Sequence, residues 1–392
     1  MNKTSVHFGA GSIGRGFLGQ LYFESGYRTV FIEVMDDVVA AINQRGRYPI
    51  DIVSETGVKR IHVSNIAAVD GRNTKLAAET LAEADIASTA VGLNALPHIA
   101  PIIARAIELR FVNGDAPPLD IMLCENVKNG EAFMRGLVKK ELLPEYHDCL
   151  DSRVGFIEAS IGRMVPVMTE EQRAADPLLV CVEPYCELPV DAAGFKGTVP
   201  AIKHLKPTQN FVGYVERKLF VHNLTHATAA YLGYRRGYAY IYEAIRDGEI
   251  RAVVEGAGQE SCAALTRKRG LDAAELAAHL DDLIFRYHNT ALADQIARVA
   301  RDPVRKLGKD DRLIGAARLC VEQGVEPEHI AVATAAAILY DAPEDPAVPQ
   351  LRAIRERGGG EAVLREISGI EPDTMPGVMI VDACRRLQQE KG

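Results

Sequence analysis

The run His7-Phe8-Gly9-Ala10-Gly11-Ser12-Ile13-Gly14-Arg15-Gly16 constrains the fold more than any other part of the chain. It places G-x-G-x-x-G at Gly9, Gly11 and Gly14, directly after the strand-like Ser5-Val6-His7-Phe8 and before a helix-like segment. Each glycine has a physical reason. One makes the tight strand-to-helix turn, one lets a pyrophosphate touch the backbone, and one lets helix and strand pack closely. The first helical turn, at Ser12 and Ile13, then offers free N–H groups and a partial positive charge to the phosphates. An acid, Glu33, ends the next apolar run Val30-Phe31-Ile32-Glu33 at about the 20-residue offset expected of a ribose ligand. A carboxylate there repels a 2′-phosphate, so the pattern favours NAD over NADP. The competing reading, a structural glycine turn followed by a surface Glu, explains fewer of these coincidences.

The texture of the chain agrees. In the first half, apolar runs at 28–34, 84–91 and 119–124 alternate with helix-compatible stretches, the pattern of a parallel sheet covered on both faces. Another strand is expected over 178–189, and Gly194-Phe195-Lys196-Gly197 reads as a turn near a domain boundary. Segments 227–244, 272–287, 328–339 and 378–389 carry apolar residues at helical spacing with alanine-rich runs, so the second half is expected to be helical. The expected architecture is α/β: a dinucleotide-binding doubly wound domain over 1–197 and a mainly helical substrate domain over 198–392. At 392 residues, two hydrophobic cores are expected.

A net charge of −8 argues against general nucleic-acid or membrane binding. No stretch approaches the roughly 20 continuous apolar residues of a membrane span. The seven cysteines are scattered without C-x-x-C, which suits reduced thiols and offers no zinc site. With no charged-then-apolar leader ahead of the first strand, a cytoplasmic location is expected.

The second informative stretch is Lys218-Leu219-Phe220-Val221-His222-Asn223-Leu224-Thr225-His226. On an α-helix at about 100° per residue, Asn223 lies roughly 140° from Lys218 and His226 roughly 80° from it. Amine, amide and imidazole would then share one broad side. A desolvated lysine can act as general base, an amide N–H can stabilise an alkoxide, and a histidine can orient a hydroxyl. Ordinary surface polar residues would show the same spacing. His222 and His226 stand at i, i+4, but Asn223 occupies the place of the Glu in H-E-x-x-H, and no third ligand follows by spacing, so no metal is expected.

These stretches, together with Thr89-Ala90-Val91-Gly92, Cys124-Glu125-Asn126, Glu216-Arg217-Lys218, Arg305-Lys306-Leu307 and Asp311-Arg312-Leu313-Ile314, resemble the polyol-specific long-chain dehydrogenases over nearly the whole chain. The length suits the branch acting on polyol phosphates. The resemblance implies a Rossmann-type N-terminal domain, a helical C-terminal domain, and a substrate site in the cleft between them in a monomeric, metal-independent enzyme. It implies Lys218 as general base, Asn126 and Asn223 at the oxyanion, His226 on substrate, and Thr89 and Val91 beside the cofactor. The implied reaction is NAD-dependent interconversion of a polyol phosphate and a ketose phosphate, of the mannitol 1-phosphate and fructose 6-phosphate type. One departure stands out: Gly162, before Arg163, replaces the family's Asp.

Arg298, Arg301, Arg305, Lys306, Lys309 and Arg312 form a basic run in an acidic chain. Arg301, Arg305, Lys306 and Arg312 are candidates to hold a substrate phosphate or carboxylate. Asp302, Asp310 and Asp311 lie among them, so a solvated face of ion pairs is an equal alternative. The remaining alternatives are a dehydrogenase of free polyols or sugar acids, and an inactive NAD-binding paralogue prompted by Gly162.

Overall fold

The protein is described by a computed structural model covering residues 3–125, 129–166, 168 and 170–390. It divides into two compact units, Met1–Phe211 and Val212–Gly392. Residues 198–211 group with the first unit, because Leu205–Thr208 pairs in parallel with Leu188–Asp191.

The first unit is built on a six-stranded sheet. In chain order its strands are β1 (Thr4–Phe8), β2 (Arg28–Glu33), β3 (Ile66–Asp70), β4 (Ile86–Thr89), β5 (Leu119–Leu123) and β6 (Val154–Glu158). Their spatial order is β3-β2-β1-β4-β5-β6, with every pairing parallel. This is the doubly wound Rossmann order, with its switch point between β1 and β4. Alternate strand residues feed separate cores. Val6, Phe8, Val30, Ile32, Ile121 and Phe156 join one, against the helices Thr74–Ala82 and Leu96–Phe111. Phe31 joins a second, and Ile86, Met122 and Ile157 a third, with Phe17 and Leu21. Burial on both faces explains why the strands read as continuous apolar runs.

Two local readings are corrected. The stretch 178–189 holds two short strands, Val180–Val182 and Leu188–Asp191, rather than one. An antiparallel pair, Arg47–Ser54 with Gly57–Ser64, joins Val180–Val182 in a second sheet that the alternation argument does not reveal.

The second unit is helical. The expected helices form as Asn223–Arg235, Ala273–Tyr287, Glu328–Ile338 and Gly377–Gln389. The stretch 227–244 breaks into two helices, because Gly237 adopts φ +77° before Ile241–Arg246 begins. The longest helix, Gly248–Arg269, starts at Asp247, whose carboxylate accepts the N–H groups of Glu249 and Ile250, and stops at Gly270 with φ +63°. Small residues set the spacing around Asn223–Arg235. A Cβ on Gly258 would come 2.5 Å from Leu280, and one on Gly233 would come 2.6 Å from Ile296. Among the described residues no helix is long and apolar enough to cross a membrane.

Candidate active site

In the first unit the site is the glycine-rich turn. Gly9 takes φ +93°, and a Cβ there would stand 3.0 Å from the Ala90 carbonyl at the end of β4. A Cβ on Gly14 would lie 2.1 Å from the Gly9 carbonyl oxygen and 2.8 Å from His7 Nε2. Gly11, by contrast, has nothing within 4 Å of such a Cβ, so the backbone is open where a pyrophosphate would approach. Ser12 is exposed and Ile13 half-buried at the start of the helix. The helix continues through a π-turn at Gly14–Leu18, and the Tyr48 hydroxyl donates to the Arg15 carbonyl at 2.8 Å. The buried Arg15 guanidinium reaches back to the Ala10 carbonyl at 2.7 Å and locks the turn. Below it, His7 is kept neutral by burial, its pKa lowered to about 3, with Nδ1 2.6 Å from the Ser88 hydroxyl.

Glu33 stands at the end of β2, beside the turn. Its carboxylate accepts the N–H of Ala10 at 2.7 Å, of Val34 at 2.7 Å and of Met35 at 3.1 Å. A carboxylate has about four acceptor positions, so capacity for a ribose hydroxyl remains. The open backbone at Gly11, the helix start and this fixed acid fit a dinucleotide.

Thr89 and Val91, at and just after the end of β4, are both tied to Glu125. The Thr89 hydroxyl donates to Glu125 at 2.7 Å, and the Val91 N–H donates to the other Glu125 oxygen at 3.0 Å. Burial pushes the Glu125 carboxyl up, against these hydrogen bonds. Glu125, to which the sequence pattern assigns no role, ties the end of β4 to the segment after β5. Asn126 lies outside the described residues. Gly162 faces a ring: its Cβ would come 3.3 Å from Tyr185 Cε1. The neighbouring Arg163 is buried and donates to the Gly16 carbonyl, to Gln20 and to the Glu183 carbonyl at 2.7–3.0 Å. It fastens that loop to the helix after the glycine turn.

In the second unit Lys218, Asn223 and His226 do not stand on the one continuous α-helix that their spacing suggests. Lys218–His222 is a π-turn between Phe211–Arg217 and Asn223–Arg235, closed by the Asn223 N–H donating to the Lys218 carbonyl. An i→i+5 bond shifts the register of Asn223 relative to Lys218 away from that of an α-helix. Lys218 is half-buried, and desolvation lowers its pKa to about 8, with the Arg312 charge as a second cause. His222 is buried and held neutral by desolvation, then by the Arg286 charge.

His226 donates through Nε2 to Asp294 Oδ2 at 2.8 Å and stacks on the Tyr287 ring, centroids 5.1 Å apart and 13° from parallel. Asp294 was not foreseen. It stands 68 residues away in the chain, with no motif to mark it.

The basic run divides. Arg305 pairs with Asp302 at 2.9 Å and with Asp311 at 3.1 Å, and Arg301 is exposed. Arg305 therefore belongs to an ion-pair face, and Arg301 lies on the surface. Lys306 is buried, donates to the Arg301 carbonyl, and has its pKa lowered to about 7 by desolvation, then by Arg312. Arg312 is fixed by Asp311 through Nε at 2.8 Å, and its terminal nitrogens make no hydrogen bond among the described residues. Among the described residues no three His, Cys, Asp or Glu side chains are grouped to hold a metal ion.

The mannitol dehydrogenase Rossmann domain matches residues 3–204, and the mannitol dehydrogenase C-terminal domain matches residues 210–359. Among curated relatives, the mannitol-1-phosphate 5-dehydrogenase of Brevibacillus brevis is 38% identical over 99% of both chains. That of Bacillus licheniformis is 38% identical over 94% of this chain and 96% of its own. Among solved structures, a D-sorbitol dehydrogenase aligns with a TM-score of 0.82 at 16% identity, over 99% of this chain and 93% of its own. The Pseudomonas fluorescens mannitol 2-dehydrogenase, a ternary complex with NAD and D-mannitol, aligns at 0.75 and 18% identity, over 100% and 92%. The chain belongs to the mannitol dehydrogenase family and is an oxidoreductase.

Proposed function

We propose that this protein interconverts mannitol 1-phosphate and fructose 6-phosphate with NAD. The observation that carries the reading is the Lys218 amine, desolvated at the first residue of a π-turn and so brought near neutrality. The near-full-length relatives of the same length supply the substrate. Gly11, Ser12 and Ile13 would hold the pyrophosphate on the turn that Gly9 and Gly14 allow, and Glu33 the adenosine ribose. When bound, NAD supplies the acceptor for the two electrons and the hydrogen leaving the carbinol carbon.

The residues of the chain handle the proton and the charge. Neutral Lys218 Nζ takes the hydroxyl proton of the polyol and becomes an ammonium. Asn223, one turn above it, donates its amide N–H to the oxygen as negative charge develops, and Asn126 shares that role. His226 accepts a hydrogen bond from a neighbouring hydroxyl. In the reverse direction the Lys218 ammonium returns the proton to the carbonyl oxygen.

The sign of the pH dependence follows from the amine. Oxidation needs neutral Lys218, so kcat/KM for the polyol phosphate is expected to rise with pH to a plateau with an apparent pKa of about 8. Reduction needs the ammonium and falls through the same range. Steady-state profiles in both directions, with a deuterated carbinol to establish that hydrogen transfer limits the rate, check this. An oxidation rate flat from about pH 6.5 to about 9.5 would reject the lysine as base.

We assign the substrate phosphate to Arg312, the member of the basic run whose charge acts on Lys218, and with it to Lys306, a buried amine on which the Arg312 charge also acts. Arg312→Ala is expected to raise KM for mannitol 1-phosphate by about 10- to 100-fold, the range of one charged hydrogen-bonding partner. Turnover of free mannitol should hardly change. The same variant removes a cation that repels the Lys218 ammonium, so the apparent pKa of oxidation should move up. Equal losses on free and phosphorylated hexitol would refute the assignment.

A further inference from the structure

His226 has one ring nitrogen engaged and one available. Nε2 lies 2.8 Å from Asp294 Oδ2, while among the described residues no hydrogen bond reaches Nδ1. The ring is half-buried and fixed in its plane by stacking on Tyr287, whose hydroxyl is 2.9 Å from Thr225 Oγ1 and donates to the His222 carbonyl at 3.1 Å. His222 is the other titratable neighbour, its ring 6.2 Å away.

Asp294 is itself constrained. Its side chain is about nine-tenths buried, its backbone carbonyl accepts the Ile241 N–H at 2.9 Å, and it follows Ala293 at φ +44°. Its second oxygen, Oδ1, accepts both Nε and Nη2 of Arg298. A chain of donors therefore runs one way, from Arg298 to Oδ1 and from His226 to Oδ2. An ionised carboxylate only accepts, so it selects the imidazole tautomer with the proton on Nε2.

We propose that Asp294 is a positioning residue that holds His226 in the Nε2–H tautomer, leaving the Nδ1 lone pair to accept a hydroxyl proton of the polyol. This rests on the reading of His226 as a substrate ligand. Asp294 touches no reacting atom. It acts through the orientation and protonation of His226, as outer partners do for many functional histidines.

Arg298 makes the proposal testable. In Asp294→Asn the atom facing Arg298 must be the amide oxygen, because a guanidinium only donates. The amide NH2 then faces His226 Nε2, drives its proton to Nδ1, and turns the acceptor offered to substrate into a donor. The expected loss in kcat/KM is about 10- to 100-fold, largely in KM, with NADH affinity and Tm close to wild type. Adding Arg298→Ala frees the amide to rotate, and most of the loss should be recovered. In a His226→Ala background, Asp294→Asn should cost less than about twofold more, since there is no ring left to orient. Nitrogen-15 spectra of histidine-labelled protein should show the Nε2–H form in the wild type and the Nδ1–H form in Asp294→Asn.

Wild-type kinetics for Asp294→Asn, a loss that persists after Arg298→Ala, or a loss that multiplies with His226→Ala would overturn the proposal. Wild-type kinetics for His226→Ala itself would overturn the substrate-ligand reading beneath it, whatever Asp294→Asn does.

Discussion

Lys218→Ala is expected to lower kcat for both oxidation and reduction by about 10³-fold, the middle of the range for a positioned general base. NADH affinity should stay within about twofold of wild type, since no residue of the glycine-rich turn is altered. The fold should not suffer. The amine is one whose charged form is disfavoured by desolvation and by Arg312, so removing it relieves a cost. The chain has no tryptophan, so NADH emission can be titrated directly without protein interference. A loss in kcat below about tenfold, or a matching loss of NADH binding, would remove Lys218 from the proposed role. A small primary amine added to the variant should restore part of the rate, with a pH dependence that follows the added amine.

The second large effect separates two glycines of one motif. Gly14→Ala would put a Cβ 2.1 Å from the Gly9 carbonyl oxygen, a backbone atom that cannot swing aside. The cost is expected at about 3 kcal/mol, the upper part of the overpacking range. For a unit of this size that is roughly a 6–12 °C drop in Tm. Gly11→Ala meets nothing within 4 Å, so its Tm should match wild type. Its Cβ instead takes up space needed by the pyrophosphate, so NADH affinity should fall at least about tenfold. Calorimetry and NADH titration on the two variants check both halves. A stable Gly14→Ala, or a Gly11→Ala that binds NADH normally, would contradict the placement of the turn.

These two experiments also mark the boundary between what could be read in advance and what could not. The glycine turn was legible because its requirements are local. A tight turn, a close backbone approach and a helix start each demand a residue type at a fixed offset, and Glu33 follows at the end of the next strand. The doubly wound sheet was legible for a similar reason: strands buried on both faces must be apolar throughout. The hairpin 47–64 was not legible, since Pro49, Asp51, Lys59 and Arg60 break the apolar run, and pairing supplies what propensity does not.

In the second unit, sequence spacing read on an α-helix misses the π-turn at Lys218–His222. An α-helix would spread Lys218 and Asn223 about 140° apart. The i→i+5 bond of the π-turn changes that angle, and nothing in Lys218–His222 announces it. Likewise the basic run could be counted but not sorted. Only the positions of Asp302 and Asp311 show that Arg305 is spent in ion pairs while Arg312 keeps its terminal nitrogens.

The sequence by itself determined the glycine-rich turn and the parallel sheet, because each depends on neighbours within one or two elements. The tertiary structure alone decided the π-turn at Lys218–His222, the Glu125 carboxylate that holds Thr89 and Val91, and Asp294 on His226. The last two depend on side chains that meet across 34 to 68 residues, and the lowered pKa of Lys218 depends on desolvation, which exists only once the chain has closed around the group.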